Sequence, residues 1–278
     1  GWARGWDWFV GLSRFRDKPV KAPHKRSPFA RKAMLFAGNV LLYVTIIASI
    51  AFVTWYVFTR ISWHEGLRVL CLGLITGARV MILVSLCSLI WVPVGVWIGL
   101  RPQVTQYIQP LIQFLASFPA YLFYPVVVML IVHYHLNPEI WTSPLMILGT
   151  QWYILFNVIV GTMALPKGLR QAAGSLQVRG WLWWKRVMLP GIFPYYITGA
   201  ITAAGGAWNA SIVAEVVTWG DTKIRATGLG AYIAEHSTNL DYPRLALGIA
   251  VMCLLVVTFN RIFWRPLYNI ARERFVID

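Results

Sequence analysis

The chain has 278 residues, 58% of them hydrophobic and 13% charged, with a formal net charge of +15. This composition excludes an ordinary soluble domain and fits a polytopic helical membrane protein. The positive charges flank apolar runs, and no soluble domain is present to hold a basic groove, so the charge does not point to nucleic acid.

Residues 1–33 are basic and rich in Trp. Trp2, Trp6, Phe9 and Val10 share a helical face, the pattern of an interfacial helix, and the Pro-bearing stretch to Lys32 reads as a cytoplasmic linker. A first span is expected over Met34–Phe58. Ile61–Ala78 reads as a short outer-surface helix, with His64, Glu65, Arg68 and Arg79 at its edges, leading into a second span at Val80–Leu100. Gly73 and Gly77 are a small pair suited to close helix approach. Gln106–Ala116 is amphipathic and is broken by Ser117-Phe118-Pro119-Ala120. A short third span follows at Tyr121–Tyr134. His133, His135 and Glu139 then invite a metal reading, but the i, i+2 spacing of the histidines does not place them on one helix face.

The fourth span is expected at Trp141–Leu165, where Gln151 and Asn157 must find partners or line a pathway. The fifth begins at Pro190. Its Gly199, Ala203, Ala207 and Ser211 form a small-residue stripe that next reaches Glu215, about 37 Å along at 1.5 Å per residue. Glu215 is therefore expected at the far interface. It is read either as a gate facing Arg79, Lys223 or Arg225, or as a solvated interfacial carboxylate. The polar stretch Trp219–Tyr242 leads to a last span at Pro243–Phe263. Gln151, Asn157, Asn209 and Ser211 are the polar candidates for a pathway through the fourth and fifth spans. Cys71, Cys87 and Cys253 lie in apolar segments and have no metal-ligand spacing.

Between the fourth and fifth spans lies Gln171–Pro190. Leu169, Ala172, Ala173 and Leu176 fall on one face of a short helix, Gly180 offers a turn, and Trp181, Trp184 and Met188 repeat at helical spacing. The unit reads as helix, turn, helix along the bilayer. Trp181, Trp183 and Trp184 suit the lipid headgroup layer. Lys167, Arg170, Arg179, Lys185 and Arg186 are accompanied by no acid. It is either a docking platform for a soluble partner or a loop that merely obeys the positive-inside rule. Nineteen Lys and Arg fall on its side of the membrane, against six on the other, which places both termini and this loop in the cytoplasm and agrees with six spans.

The loop resembles the cytoplasmic loop of ATP-binding cassette (ABC) importer permeases: Glu-Ala-Ala, three residues, Gly, nine residues, Ile, one residue, Leu-Pro. Gln171-Ala172-Ala173, Gln177, Val187 and Leu189-Pro190 keep the register. Gln171 replaces the acid, and Gln177 replaces the turn glycine, which would move the turn to Gly180. Arg68–Leu100, the Ser117–Ala120 turn, Gly161, Ala214-Glu215 and Thr227-Gly228-Leu229-Gly230 are similar to the nitrate/sulfonate/taurine branch. The tail after Thr258 is similar to second halves of tandem permeases.

The resemblance implies an all-α polytopic fold of five core helices plus the span near Met34. The basic segment would cover 1–33, the permease domain 34–265 and a cytoplasmic tail 266–278. It also implies an inner-membrane location, with lipid around the spans. Implied partners are a pair of ABC ATPase subunits, a second permease domain and an extracytoplasmic substrate-binding protein. Gln171, Ala172, Ala173, Gln177, Gly180, Lys185, Arg186, Leu189 and Pro190 would couple the ATPase to the spans. The chain carries no phosphate loop of its own, so no nucleotide or other cofactor is expected, and no enzymatic activity. Gly1 in place of Met, the basic opening segment and the tail predict the second half of a fused permease. A gradient-driven secondary transporter is the competing reading, although the interiors of the last three spans lack the charge such proteins use. An intramembrane enzyme is a third.

Overall fold

The computed structural model describes residues 28–219 and 222–275. The helix expected around Trp2–Val10 and the segment through 27 lie outside the described residues. The chain divides into two units at Thr54/Trp55, inside the first helix, α1 (Pro28–Phe58), whose stretch Phe36–Tyr56 is long and apolar enough to cross a membrane.

Within the second unit, α2 (Trp63–Gly99) is one continuous helix of 37 residues. The expected break near Arg79 is absent. Thr76 and Arg79 turn inward to a buried carboxylate, so the polar residues mark an internal contact and not a helix end. Arg101 precedes α3 (Pro102–Ser117), which is amphipathic as expected. Pro119 forces Phe118 into an extended conformation. A 3-10 turn (Ala120–Phe123) and α4 (Tyr124–His133) follow, bent by 78° from α3. The short α5 (Pro138–Trp141) and α6 (Ser143–Ile147) lie 44° from α7 (Gln151–Ala164).

After α7 come α8 (Lys167–Ser175), α9 (Gly180–Trp183), a π-helical segment (Trp184–Met188) and α10 (Leu189–Ala214). Beyond α10 the chain departs from an all-helical fold in one small feature. β1 (Val216–Trp219) pairs antiparallel with β2 (Thr222–Arg225), Val217 opposite Ile224, and both of these side chains are buried. Then α11 (Leu229–Thr238), α12 (Tyr242–Phe259), a second π segment (Asn260–Trp264) and α13 (Arg265–Phe275) complete the described chain.

Each π segment runs up to a proline, Pro190 or Pro266. A proline has no N–H and its ring clashes with the carbonyl four residues back, so a wider turn lets the helix continue. Among the described residues four helical stretches can span a membrane singly: Phe36–Tyr56, Trp63–Gly99, Gly180–Ala214 and Tyr242–Glu273. The two bent pairs bring the number to six when each is counted as one span.

The core lies around α10, which packs on α7, α2, α11 and α13. Ala203, Ala207, Met188, Ile154 and Val158 are fully buried there. The small-residue stripe does what its spacing suggests. A methyl at Gly199 would stand 2.7 Å from the Tyr153 carbonyl on α7, and one at Gly230 on α11 would collide with the Ser211 carbonyl. Both helices therefore approach α10 backbone to backbone.

Candidate functional site: a lever at one end and a buried ion network at the other

In α8, Leu169 and Arg170 are half-buried and Ala173 is buried, whereas Gln171, Ala172 and Leu176 are exposed. This corrects the expected face. Ala172 and Leu176 point away from the permease, leaving an apolar-and-amide surface free. Lys185 and Arg186 are also exposed, as is Trp181, at 75%. Trp183 and Trp184 meet edge to face and pack, half-buried, against the core, so of the three Trp181 is the most exposed. Val187 and Met188 are buried, and Leu189-Pro190 opens α10. An apolar cavity of about 770 Å3 lies between this corner and α2, with Leu89, Val92, Trp184 and Phe193 in its wall and Lys185 beside it.

The turn was expected to shift from Gln177 to Gly180, and the structure corrects this. Gln177 itself takes φ +50°, and Gly180 also has a positive φ, +59°. The backbone turns where the family's glycine would turn it, because Leu176 and Val178 donate back to the carbonyls of Ala172 and Ala173, each at 2.9 Å, to close α8. An L side chain in this conformation costs roughly 1–2 kcal/mol. Gln177→Gly is therefore expected to raise the unfolding temperature of the purified chain by about 2–4 °C, read by thermal unfolding in detergent. A fall of similar size would show that the glutamine side chain holds the turn.

Two links tie the loop to the spans. The Arg170 guanidinium donates through Nη2 to the carbonyls of Thr162 (3.0 Å) and Leu165 (3.2 Å), the open C-terminal end of α7. The chain from Gly180 to Ala214 is helical throughout, 35 residues. The second helix of the expected helix-turn-helix is thus the start of the fifth span.

The other end of α10 carries the second constellation. Glu215 is 1% exposed, which overturns the solvated reading. Its carboxylate accepts from Thr76 Oγ1 (2.7 Å), from the Ala231 N–H (3.0 Å) and from Arg79 Nη1 (3.3 Å). Ala231 is in the first turn of α11, so Glu215 also places a negative charge at that helix's positive end. Of the three expected partners only Arg79 is used; Lys223 is exposed, and Arg225 pairs with Glu235 at 2.8 Å. Arg79 donates to the Thr227 carbonyl (2.8 Å) and pairs with Glu139. Glu139 in turn accepts from the Thr227 N–H (2.9 Å) and hydroxyl (2.7 Å), so it is engaged here and not with His133 or His135. Thr76 accepts from the Leu229 N–H at 2.9 Å. A side chain at Gly228 would occupy the position of the Glu215 carboxylate. The segment Thr227-Gly228-Leu229-Gly230 is thus a backbone clamp around two carboxylates.

A neighbouring network closes the same face. Glu65 accepts from the Tyr232 hydroxyl and from Arg244 Nε, each at 3.0 Å, and Arg244 Nη1 donates to Asp241 at 2.6 Å. The Arg244 hydrogen bond holds the Asp241 carboxyl below the usual carboxylate range.

The four pathway candidates separate. Gln151 accepts from Trp91 Nε1 (3.0 Å) and donates to the Leu148 carbonyl, so it joins α2 to α7. Ser211 is fully buried, with its hydroxyl donated to the Trp208 carbonyl at 2.7 Å. Both are packing contacts, and both correct the expectation. Asn157 is half-buried beside Gly199, and Asn209 is exposed. Thr198 and Thr202, which the sequence reading passed over, are exposed on the same face of α10 as Asn209. All three satisfy one donor on their own helix, at the carbonyls of Pro194, Thr198 and Gly205.

Residues 92–265 match the family of binding-protein-dependent transport system inner membrane components. The chain belongs to that family. It is 29% identical over 170 residues to a bicarbonate transport system permease protein of Synechococcus elongatus, covering 61% of this chain and 60% of that one. It is 24% identical over 182 residues to a nitrate import permease protein of Leptolyngbya laminosa, covering 66% and 62%. It is also 24% identical over 185 residues to a taurine transport system permease protein of Escherichia coli, covering 64% and 61%. The chain thus spans about 60% of the length of these curated relatives. They agree with the expected nitrate/sulfonate/taurine branch, and the family agrees with an all-helical polytopic membrane protein.

Thr76 has no signal in the sequence, and Arg170 and Glu139, noted there as a loop charge and a metal candidate, take other roles. Glu139 follows Asn137-Pro138, a helix-start signal whose Asn137 side chain accepts from the Glu139 N–H. Nothing local could have joined Glu139 to Thr227, 88 positions away.

Proposed function

We propose that this chain is the translocation subunit of an ATP-driven importer for a small anion, of the kind for which its relatives are named: bicarbonate, nitrate or a sulfonate such as taurine. In this reading one of a pair of ATPase subunits docks on the exposed side of α8 and the start of α9, on Gln171, Ala172, Leu176 and Trp181. A second permease domain completes the pore, and a substrate-binding protein sits on the face of Glu65, Glu139 and Arg244. Both termini lie in the cytoplasm. The observation that carries the reading is mechanical. The loop enters the membrane as one helix from Gly180 to Ala214 and is tied to α7 by Arg170, so a push on α8 moves two spans together. Glu215 and its partners then hold the far end in one of two states.

The pathway runs along Thr198, Thr202 and Asn209, with Asn157 at its edge. Cysteine is introduced singly at 202, 209, 211 and 151 in the assembled transporter, on a background lacking Cys71, Cys87 and Cys253. A water-soluble thiol reagent is expected to label positions 202 and 209 at a rate that changes severalfold between ATP-bound and nucleotide-free states, and to spare 211 and 151. Protection of 202 and 209 in both states removes the pathway. Labelling that ignores ATP and follows a proton or sodium gradient favours the secondary-transporter reading.

A further inference from the structure

At the end of α10 that carries the coupling loop, α13 folds back against it. Trp264, Leu267 and Ala271 recur at helical spacing; Trp264 and Ala271 are buried in this contact and Leu267 is packed against it. The contact sets the backbone position of the next residue, Arg272, whose side chain is exposed. Arg272 joins Tyr268, Tyr195, Pro194 and Thr198 in lining a small cavity of about 160 Å3. Thr198 is also the first member of the polar stripe that continues through Thr202 to Asn209. The stripe is about 16 Å long at 1.5 Å per residue, and Arg272 stands at its loop-side end.

Among the described residues no carboxylate pairs with the Arg272 guanidinium, unlike Arg79, Arg225 and Arg244, each of which has an acidic partner. Nor does Thr198 supply a proton to the cavity, because its hydroxyl donates to the Pro194 carbonyl at 3.0 Å. The cavity therefore offers one permanently charged, planar set of donors, flanked by two phenol rings. That arrangement suits an oxyanion, which a guanidinium binds through two parallel N–H bonds. Its volume equals roughly five waters at about 30 Å3 each, room for one three- or four-oxygen anion with residual water.

We propose that Arg272, with Tyr195 and Tyr268, forms an anion site at the loop-side mouth of the pathway, specific for small oxyanions. The site rests on the pathway proposed above, and it places a cationic contact at the loop-side mouth. Its occupancy rises with the anion concentration on that side, so a high concentration there slows further delivery.

The test is thermal unfolding of the purified chain, titrated with nitrate or bicarbonate against chloride at constant ionic strength and pH. A saturable rise of about 3 °C is expected for at least one oxyanion and not for chloride. Arg272→Gln should abolish the rise. Arg272→Lys, which keeps the charge without the planar fork, should retain part of it. An equal rise in Arg272→Gln, or no rise beyond chloride in the parent, overturns the site. Unfolding temperatures without anion show whether either variant is merely damaged. Cysteine labelling at 202 separates this proposal from the pathway beneath it. Labelling without an oxyanion effect removes the site and keeps the pathway, and an Arg272-dependent effect without labelling keeps the site and removes the pathway.

Discussion

Glu215→Gln is expected to cut solute uptake by the assembled transporter about tenfold while its basal ATP hydrolysis rises. The amide preserves shape but replaces one acceptor oxygen with an N–H2 group. Thr76, the Ala231 N–H and Arg79 all donate to this position, so one donor must now face another. Hydrogen bonds to a charged group contribute about 1.5–3 kcal/mol, and each 1.4 kcal/mol is roughly a factor of ten in the balance between two states. The clamp over Thr227–Gly230 loosens, and the far end of α10 no longer answers the loop. Glu215→Ala goes further, because it leaves a buried N–H and part of the Arg79 charge without a partner. It should lower stability by about 3–5 kcal/mol, read as a large fall in unfolding temperature. Uptake and ATPase rates in Glu215→Gln equal to the parent's would reduce Glu215 to a structural anchor.

Arg170→Ala is the second test, and it acts at the opposite end. The expected result is a loss of uptake of tenfold or more, in a complex that still assembles and still hydrolyses ATP. Arg170 alone spans the Thr162 and Leu165 carbonyls, and leaving such groups unpaired costs about 1–3 kcal/mol each where water cannot replace the donor. The exposed face of α8 is untouched, so docking of the ATPase survives while the motion no longer reaches α7. Arg170→Lys should be intermediate, since an ammonium lacks the planar fork. Parental uptake in Arg170→Ala would mean that α10 alone carries the motion.

Several parts of this protein can be read from its residues without coordinates. Composition and the length of the apolar runs determine a multi-span helical membrane protein, because bilayer thickness fixes how long an apolar helix must be. The spacing of Gln171-Ala172-Ala173, Gln177 and Leu189-Pro190 carries a resemblance to the family, and the match over residues 92–265 shows it. The four-residue recurrence of Gly199, Ala203, Ala207 and Ser211 determines that one face of the fifth span admits other backbones, as Gly199 against α7 and Ser211 against Gly230 bear out.

What only the tertiary structure decided is which neighbour each face meets. A helical period tells which side chains share a face, but it does not say whether that face turns to protein, lipid or water. Ser211 and Asn209, two positions apart, therefore looked equivalent, yet one is sealed under α11 and the other stands open beside Thr202. Gln177 looked unfit for a left-handed turn, but the backbone hydrogen bonds closing α8 impose φ +50° on it. Glu215 caps the far end of α10, where a carboxylate on an isolated helix would be solvated. It is buried because Thr76, Arg79 and the start of α11 converge on it from positions 139, 136 and 16 residues away. Convergence over such separations is a product of helix packing, and no local pattern in the chain encodes it.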